Sequence, residues 1–310
     1  MEFLNRTGIG KSGLKTQAQL NERKGMLLGF LGVLAFSLTL PASRVAVQEL
    51  SPAFVGLGRA LFAGLLALAV LLFTRQPLPA RQHLRGLAIS GAGVILGFPL
   101  LTTWAMRYVP AAHGAIVVGL MPLLTAVIGS VLNDERPSRG FWLASVTGSV
   151  LVLVFAMING GGALHLADLA LLGAALSASW GYAEGARVTK SLGGWQTISW
   201  SLVLTLPVAL LPMPWLFDAD ALRNVSAGAW TGFVYLVVVS QYLGFIVWYR
   251  GLALGGVARV SQMQLTQVFL TMLFAGLLLG EHITPLMLVF AVAVVATVAI
   301  GRQMSVARAA

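Results

Sequence analysis

The stretch Thr125–Ser138, TAVIGSVLNDERPS, is answered by Thr271–Pro285, TMLFAGLLLGEHITP. Each is an apolar run that ends at a turn carrying a glutamate, and Glu135 and Glu281 lie 146 residues apart. A second anchor lies far from the first: Ser43-Arg44-Val45 matches Ala186-Arg187-Val188, with Arg44 and Arg187 separated by 143 residues. Two distant anchors with nearly equal offsets indicate an internal duplication.

Outward from these anchors, long apolar stretches cover 25–48, 52–73, 84–106, 110–132, 140–158, 167–188, 195–216, 227–250, 256–279 and 283–301. Turn chemistry separates them, as at Leu50-Ser51-Pro52, Gln76-Pro77-Leu78-Pro79, Asn159-Gly160-Gly161-Gly162 and Gly255-Gly256. Each stretch is about the length of a membrane-spanning helix, roughly 20 residues. The expected fold is therefore all-α and integral to the membrane, with ten spans in two sets of five. Five is odd, so the second set must enter from the opposite side to the first, which makes an inverted repeat. The domains expected are a tail over 1–24, a first repeat over 25–158, a second over 159–302 and a tail over 303–310.

Composition agrees. Of 310 residues 58% are hydrophobic and only 10% charged, against about 25% charged in soluble domains, and mean hydropathy is +0.87. Ten spans leave only short loops, with no room for a soluble catalytic domain. Of the 20 Lys and Arg, sixteen fall in the two tails and the even-numbered connections, while the other side holds only Arg107 and Arg223. That asymmetry predicts cytoplasmic termini, with the basic residues facing anionic lipid. The net charge of +10 is spread too widely for a nucleic-acid patch. The first 24 residues read as a retained tail, since the apolar run after them is too long for a signal-peptide core.

Polar residues inside spans should face the bundle interior. In span one Ser37, Pro41 and Arg44 share a face. In span six Ser177, Trp180, Glu184 and Arg187 share a stripe, and the 143-residue offset sets Ser37 against Trp180, Pro41 against Glu184 and Arg44 against Arg187. Matching faces of this kind suit helices lining one cavity. In span nine Gln264, Gln267 and Thr271 share a face. Their amides could bind both ends of a zwitterion, or could serve as glue between helices. Span eight places Tyr235, Tyr242 and Tyr249 at seven-residue spacing beside Gln241, Phe245 and Trp248, either a clamp for an apolar side chain or, near the helix end, an interfacial belt. In span three Thr103 and Trp104 lie near the outer end, with Trp104 a gate or an anchor. Gly119 and Pro122 kink span four, as a moving joint or a fixed bend. His113 reads as interfacial. Glu184, the one carboxylate read as well inside a span, is expected to pair with Arg187, Lys190 or Arg259. Glu135 and Glu281 read as helix caps.

Pro122–Ala126 (PLLTA), an Asp-Glu at the next turn and a short final helix recur in degenerate form as Gln267–Thr271 (QVFLT) through Gly280-Glu281. This pattern resembles the ten-helix, EamA-type members of the drug/metabolite transporter superfamily over about residues 25–302. Arg59 within Leu57–Phe62 (LGRALF) and Trp180-Gly181 fit it, whereas Ser37-Leu38 stands where a Trp-Gly pair is usual. The resemblance is greatest to bacterial exporters of amino acids, the aromatic branch especially. It implies a structural role for Arg59, in a helix away from the cavity, as a clamp on carbonyls or a carboxylate.

The function expected is a secondary transporter exporting small metabolites, amino acids with aromatic or apolar side chains among them. Alternating access through a cavity between spans one, three, four, six, eight and nine would move them. The alternatives are a drug or quaternary-amine efflux carrier, or a channel. The expected partners are the small-molecule substrate and membrane lipid, with no nucleic acid, and a monomer is the expected state. There is no Cys, and His83, His113, His165 and His282 are dispersed, so no metal site and no cofactor is expected. No Gly-rich phosphate loop with Lys occurs, so ATP is not the expected fuel. Nor is an enzyme, for want of a reacting constellation.

Overall fold

The computed structural model describes residues 11–132, 135–160, 166–218, 222–280, 284–304 and 306–308. Apolar runs without interior breakers become long helices, and their ends carry the expected chemistry. Ser51 caps Pro52–Phe73 by accepting from the Phe54 backbone N–H, with Pro52 at the first helical position. Ser226 caps Ala227–Tyr235 in the same way through Ala229. Gly280 ends Gln264–Leu279 in the left-handed conformation at φ 73°.

Among the described residues six stretches are long and apolar enough to cross a membrane: Gln17–Ala46, Pro52–Phe73, Arg81–Ala105, Leu166–Leu192, Ala227–Gly255 and Val257–Leu279. The remaining expected spans are helical as well, two of them interrupted. They are Ala111–Val118 with Met121–Leu132, Arg139–Gly160, Gly194–Leu210 with Met213–Leu216, and Pro285–Gln303. The first helix begins by Lys11, inside the region read as a tail over 1–24.

Two of the interruptions are paired between the halves. Span three carries a π-helical stretch, Gly91–Gly97, and span eight carries another, Leu236–Leu243. Their first residues stand 145 apart, within the range of the repeat offset. Span four breaks at Gly119-Leu120 and span nine at Gln262-Met263, offset by 143. π-Helical turns concentrate at functional sites. Span one breaks as well, at Leu38, into Lys11–Ser37 and Thr39–Ala46.

Corresponding helices of the two halves pack against each other. Pro52–Phe73 lies on Gly194–Leu210, Met121–Leu132 on Val257–Ser261, Ala111–Val118 on Gln264–Leu279, and Arg139–Gly160 on Pro285–Gln303. The most extensive contact joins Lys11–Ser37 to Gly244–Gly255. There a Cβ on Gly251 would lie 2.8 Å from the Gly29 backbone nitrogen, and one on Gly25 would collide with the backbone of Gly255. Small residues let these two backbones touch.

The molecule is apolar outside, and polar residues are set within a largely apolar core. Leu27, Phe30, Leu34, Leu65, Phe73, Leu169, Leu277 and Val292 are exposed, while Ser37, Thr102, Thr125, Ser179, Ser199, Gln241 and Gln264 are buried. That exposed apolar surface suits a lipid solvent. Many buried hydroxyls return to their own helix, as in Ser37 to the Val33 carbonyl at 2.7 Å and Thr103 to the Pro99 carbonyl at 2.7 Å.

One end of the bundle gathers the basic connections. Arg259 pairs with Glu22 and donates to the Met304 carbonyl at 2.8 Å. Glu135–Pro137 pairs antiparallel with Val306–Arg308, a two-stranded ladder that qualifies the all-α expectation. This end is called the basic pole below. The far pole carries the 47–51, 106–110 and 217–226 connections. As an expected cap, Glu135 instead has its backbone in this ladder. Its side chain, all of Glu281 and all of His165 and His282 lie outside the described residues.

Candidate functional site

At the paired breaks of spans four and nine lies a small internal cavity lined by Ala115, Val118, Gly119, Met121, Gln264, Gln267, Val268 and Thr271. Gln264 is buried, and neither its amide nitrogen nor its amide oxygen has a hydrogen-bond partner. A buried amide left unpaired costs about 1–3 kcal/mol per polar group. The cavity measures about 10 Å³, room for no more than about one water molecule, so this conformation is closed around it. Nearby polar residues on span nine are spoken for: Gln262 donates to Ser145 on Arg139–Gly160.

A second polar zone runs across span eight. Gln241 is fully buried in the second π-helical stretch and donates at 3.3 Å to the Val94 carbonyl in the first. This bond joins the two matched stretches directly, and the Gln241 amide oxygen is unpaired. The three evenly spaced tyrosines do not converge on one point. Tyr235 donates to the Ala35 carbonyl at 2.5 Å, the Tyr242 and Ser199 hydroxyls bond at 2.8 Å, and the Tyr249 and Ser90 hydroxyls at 2.5 Å. Each pins span eight to a different helix. Trp248 is fully buried against Phe36 and Tyr182 with its indole N–H unpaired.

Each pole has its own larger cavity. At the far pole a cavity of about 520 Å³ is lined by residues that include Arg44, Gln48, Glu49, Phe54, Arg107 and Asp218. Glu49 closes over part of that end by accepting from the Ser226 backbone N–H at 2.6 Å and its hydroxyl at 2.5 Å. Those two bonds, the hydroxyl first, hold the Glu49 carboxyl below its ordinary value. At the basic pole a cavity of about 440 Å³ lies between Lys190, Trp195, Gln196 and Arg250.

The residues expected to form the site divide into groups. Gly119, Gln264 and Gln267 come together around the central cavity, with Pro122 buried just past the break. Gln241 and Tyr242 lie in the buried zone of span eight. Arg44 lines the far-pole cavity and donates to the Met106 carbonyl at 2.5 Å. Ser37, Pro41 and Thr103 are buried, the two hydroxyls bonded to their own helices. Ser177 donates to the Gly93 carbonyl at 3.1 Å in the first π-helical stretch. Trp180 is 48% exposed, on a stripe with Leu169, Leu172 and Leu176, and Trp104 is exposed against Tyr108 with ring centres 4.9 Å apart. Neither ring lines one of these cavities. Glu184 takes Arg187 as its partner, at 2.7 Å.

Two features escaped the sequence reading. Asp168 is a second buried carboxylate within the expected spans, and His113 meets it at 2.6 Å across the two halves. Asp168 stands at the first turn of span six, and His113 reads as interfacial from its sequence position. Arg59 is 1% exposed and bonds neither a carbonyl nor a carboxylate, as a clamp would. Its Nη2 donates to the Ser240 hydroxyl at 2.9 Å, while Nε and Nη1 are unpaired.

Apolar helices with matched breaks, packed half against half around buried polar groups, define a duplicated polytopic membrane protein. The model of the EamA-like transporter family matches residues 23–157 and again residues 165–301, and the chain belongs to that family. It is 43% identical over 279 residues to the uncharacterized transporter YdeK of Bacillus subtilis, covering 90% of this chain and 97% of that one. It is 24% identical over 290 residues to a protein of Salmonella typhimurium named a probable amino-acid metabolite efflux pump, covering 88% of this chain and 93% of the other. A solved crystal structure shares the fold at a TM-score of 0.73 with 17% identity, covering 90% of this chain and 98% of its own. The double match establishes the duplication, and membership makes the chain a membrane transporter.

Proposed function

We propose that this transporter is a secondary carrier that exports small metabolites, amino acids with aromatic or apolar side chains among them, across the bacterial inner membrane. It acts as a monomer of ten spans, with inverted halves and both termini in the cytoplasm. The central cavity between spans four and nine is the point about which the two poles open in turn. The observation that carries this reading is Gln264: a buried amide with both ends free, set where two symmetry-matched helix breaks meet. Such a group can accept from an ammonium and donate to a carboxylate, and the breaks give each half a joint at that depth. The relationship to the Salmonella protein supports amino acids as the cargo.

The described buried carboxylates favour this over efflux of quaternary amines. Asp168 is engaged by His113 and Glu184 by Arg187, which leaves neither poised for a permanent cation.

Counterflow into liposomes tests the proposal, with labelled phenylalanine, leucine, a nucleoside, a sugar and a cationic dye as probes. The amino acids should exchange and the dye should not. Gln264→Ala should lower amino-acid exchange roughly tenfold, the equivalent of about 1.4 kcal/mol, at unchanged insertion. Exchange of the dye alone, or full activity in Gln264→Ala, would overturn it.

A further inference from the structure

Arg59 is a buried guanidinium with most of its donors unused. It is 1% exposed and two of its three guanidinium nitrogens are unpaired. Its one bond, to Ser240, leads on to Thr39, whose hydroxyl lies 2.8 Å from that of Ser240. A buried guanidinium is normally matched by a carboxylate, which its planar fork binds through two parallel N–H donors. Among the described residues no carboxylate reaches it. A residue kept only for packing would not need this charge: an offset of 145 sets Leu204 at the matching place in the second half.

The surroundings of Arg59 are built to move. Thr39 begins the segment beyond the break at Leu38, and Ser240 sits in the π-helical stretch Leu236–Leu243. The far-pole cavity opens above both. Its lining includes Phe54 and Arg44, each five residues from Arg59 and Thr39 along their own helices, or about 7–8 Å at the helical rise. Arg44 and Arg107 in that lining stand beside Glu49 and Asp218, so the vestibule carries both signs of charge and Arg59 below it only one. Arg59 thus lies one and a half turns beneath an existing vestibule, behind a segment joined to the rest of span one at a break.

Resting on the carrier reading, we infer that Arg59 is a binding site for the carboxylate of the transported molecule, reached from the far-pole vestibule when Thr39–Ala46 swings away from Ser240. The ligand class is a small carboxylate whose charge replaces the missing partner. The Thr39–Ser240 contact is the latch, and the amides at Gln241 and Gln264 lie farther along the passage.

The test uses the full chain in liposomes of phosphatidylcholine alone, so that no anionic lipid can fill the site. Unlabelled phenylalanine, phenylalanine methyl ester and phenethylamine compete against labelled phenylalanine in counterflow. Phenylalanine should compete at least about tenfold better than the ester or the amine. Arg59→Lys should keep that preference at reduced flux, and Arg59→Gln should abolish it. Thr39→Ala, which keeps the charge and frees the latch, should keep the preference too. A parallel measurement is independent of flux: phenylacetate should raise the melting temperature of purified wild-type protein, phenethylamine should not, and Arg59→Gln should lose the response. Equal competition by acid, ester and amine, with flux intact, overturns the Arg59 site and leaves the carrier standing. No exchange of any probe overturns the carrier. The site is then overturned as well if phenylacetate gives no melting shift, or if the shift survives in Arg59→Gln.

Discussion

Span nine carries three glutamines within six residues, and the structure gives them different work. Gln262 spends its amide on Ser145, whereas Gln264 spends nothing. Gln262→Ala should therefore destabilise the protein by about 1–3 kcal/mol through the stranded Ser145 hydroxyl and leave exchange largely intact, the opposite of Gln264→Ala. Melting temperature and counterflow measured on both variants separate the two roles. Helical spacing placed Gln264 and Gln267 on one face, but only the three-dimensional partners distinguish a bridging amide from a free one. The same limit explains Trp180. Its spacing joined it to Ser177 and Glu184, yet its ring continues the exposed apolar stripe of Leu169, Leu172 and Leu176. Glu49 makes a pH-dependent prediction. Its carboxyl is held below the ordinary 4.5, so the clamp on Ser226 is fully present above that value and is lost as pH falls through the lowered one. Protection of the Ser226 amide, measured against its intrinsic exchange rate at each pH, should be lost only on acidification below 4.5 in the wild type. In Glu49→Gln that protection should already be weak at neutral pH.

The helices themselves follow from apolar runs and turn residues, which is why most expected boundaries fall within a few residues of those observed. The interruptions do not follow so easily. Gly119 and Pro122 announced the break in span four, because neither residue favours a helix interior. The π-helical stretch of span eight left no such mark: Leu236–Leu243 is a run of valine, leucine, serine, glutamine and tyrosine with no proline or glycine, whereas Gly91–Gly97 carries three glycines. The bond from Gln241 to Val94 joins the two stretches, and nothing local announces it. The Lys11–Ser37 and Gly244–Gly255 pair shows how closely two spans approach at the basic pole. Gly251→Leu should force those backbones apart, at a cost of about 1–3 kcal/mol for overpacking. Reduced melting temperature together with increased labelling of a cysteine placed at Gly29 would bear this out; an unchanged melting temperature would count against the contact.

Duplication was legible over the whole chain because both halves kept a Glu turn and an Arg at similar distances. What the structure adds is that the halves share two of their irregularities as well. A π-helical stretch in span three answers one in span eight, and a break in span four answers one in span nine. Matched interruptions at matched depth are what two halves need if they are to bend against each other around one site. The charges break this symmetry. Arg59 has no charged counterpart in the second half, so the two halves differ in buried charge where their helices match.

The chain contains no cysteine, so a single introduced thiol reports its own position. Ala80 and Asn224 are both exposed and stand 144 residues apart, at the same place in the two halves. In right-side-out vesicles an impermeant maleimide should label Asn224→Cys at once and Ala80→Cys only after the membrane is opened. Labelling of both from the same side would mean that the halves are inserted in parallel, and the carrier built on their opposition would not stand.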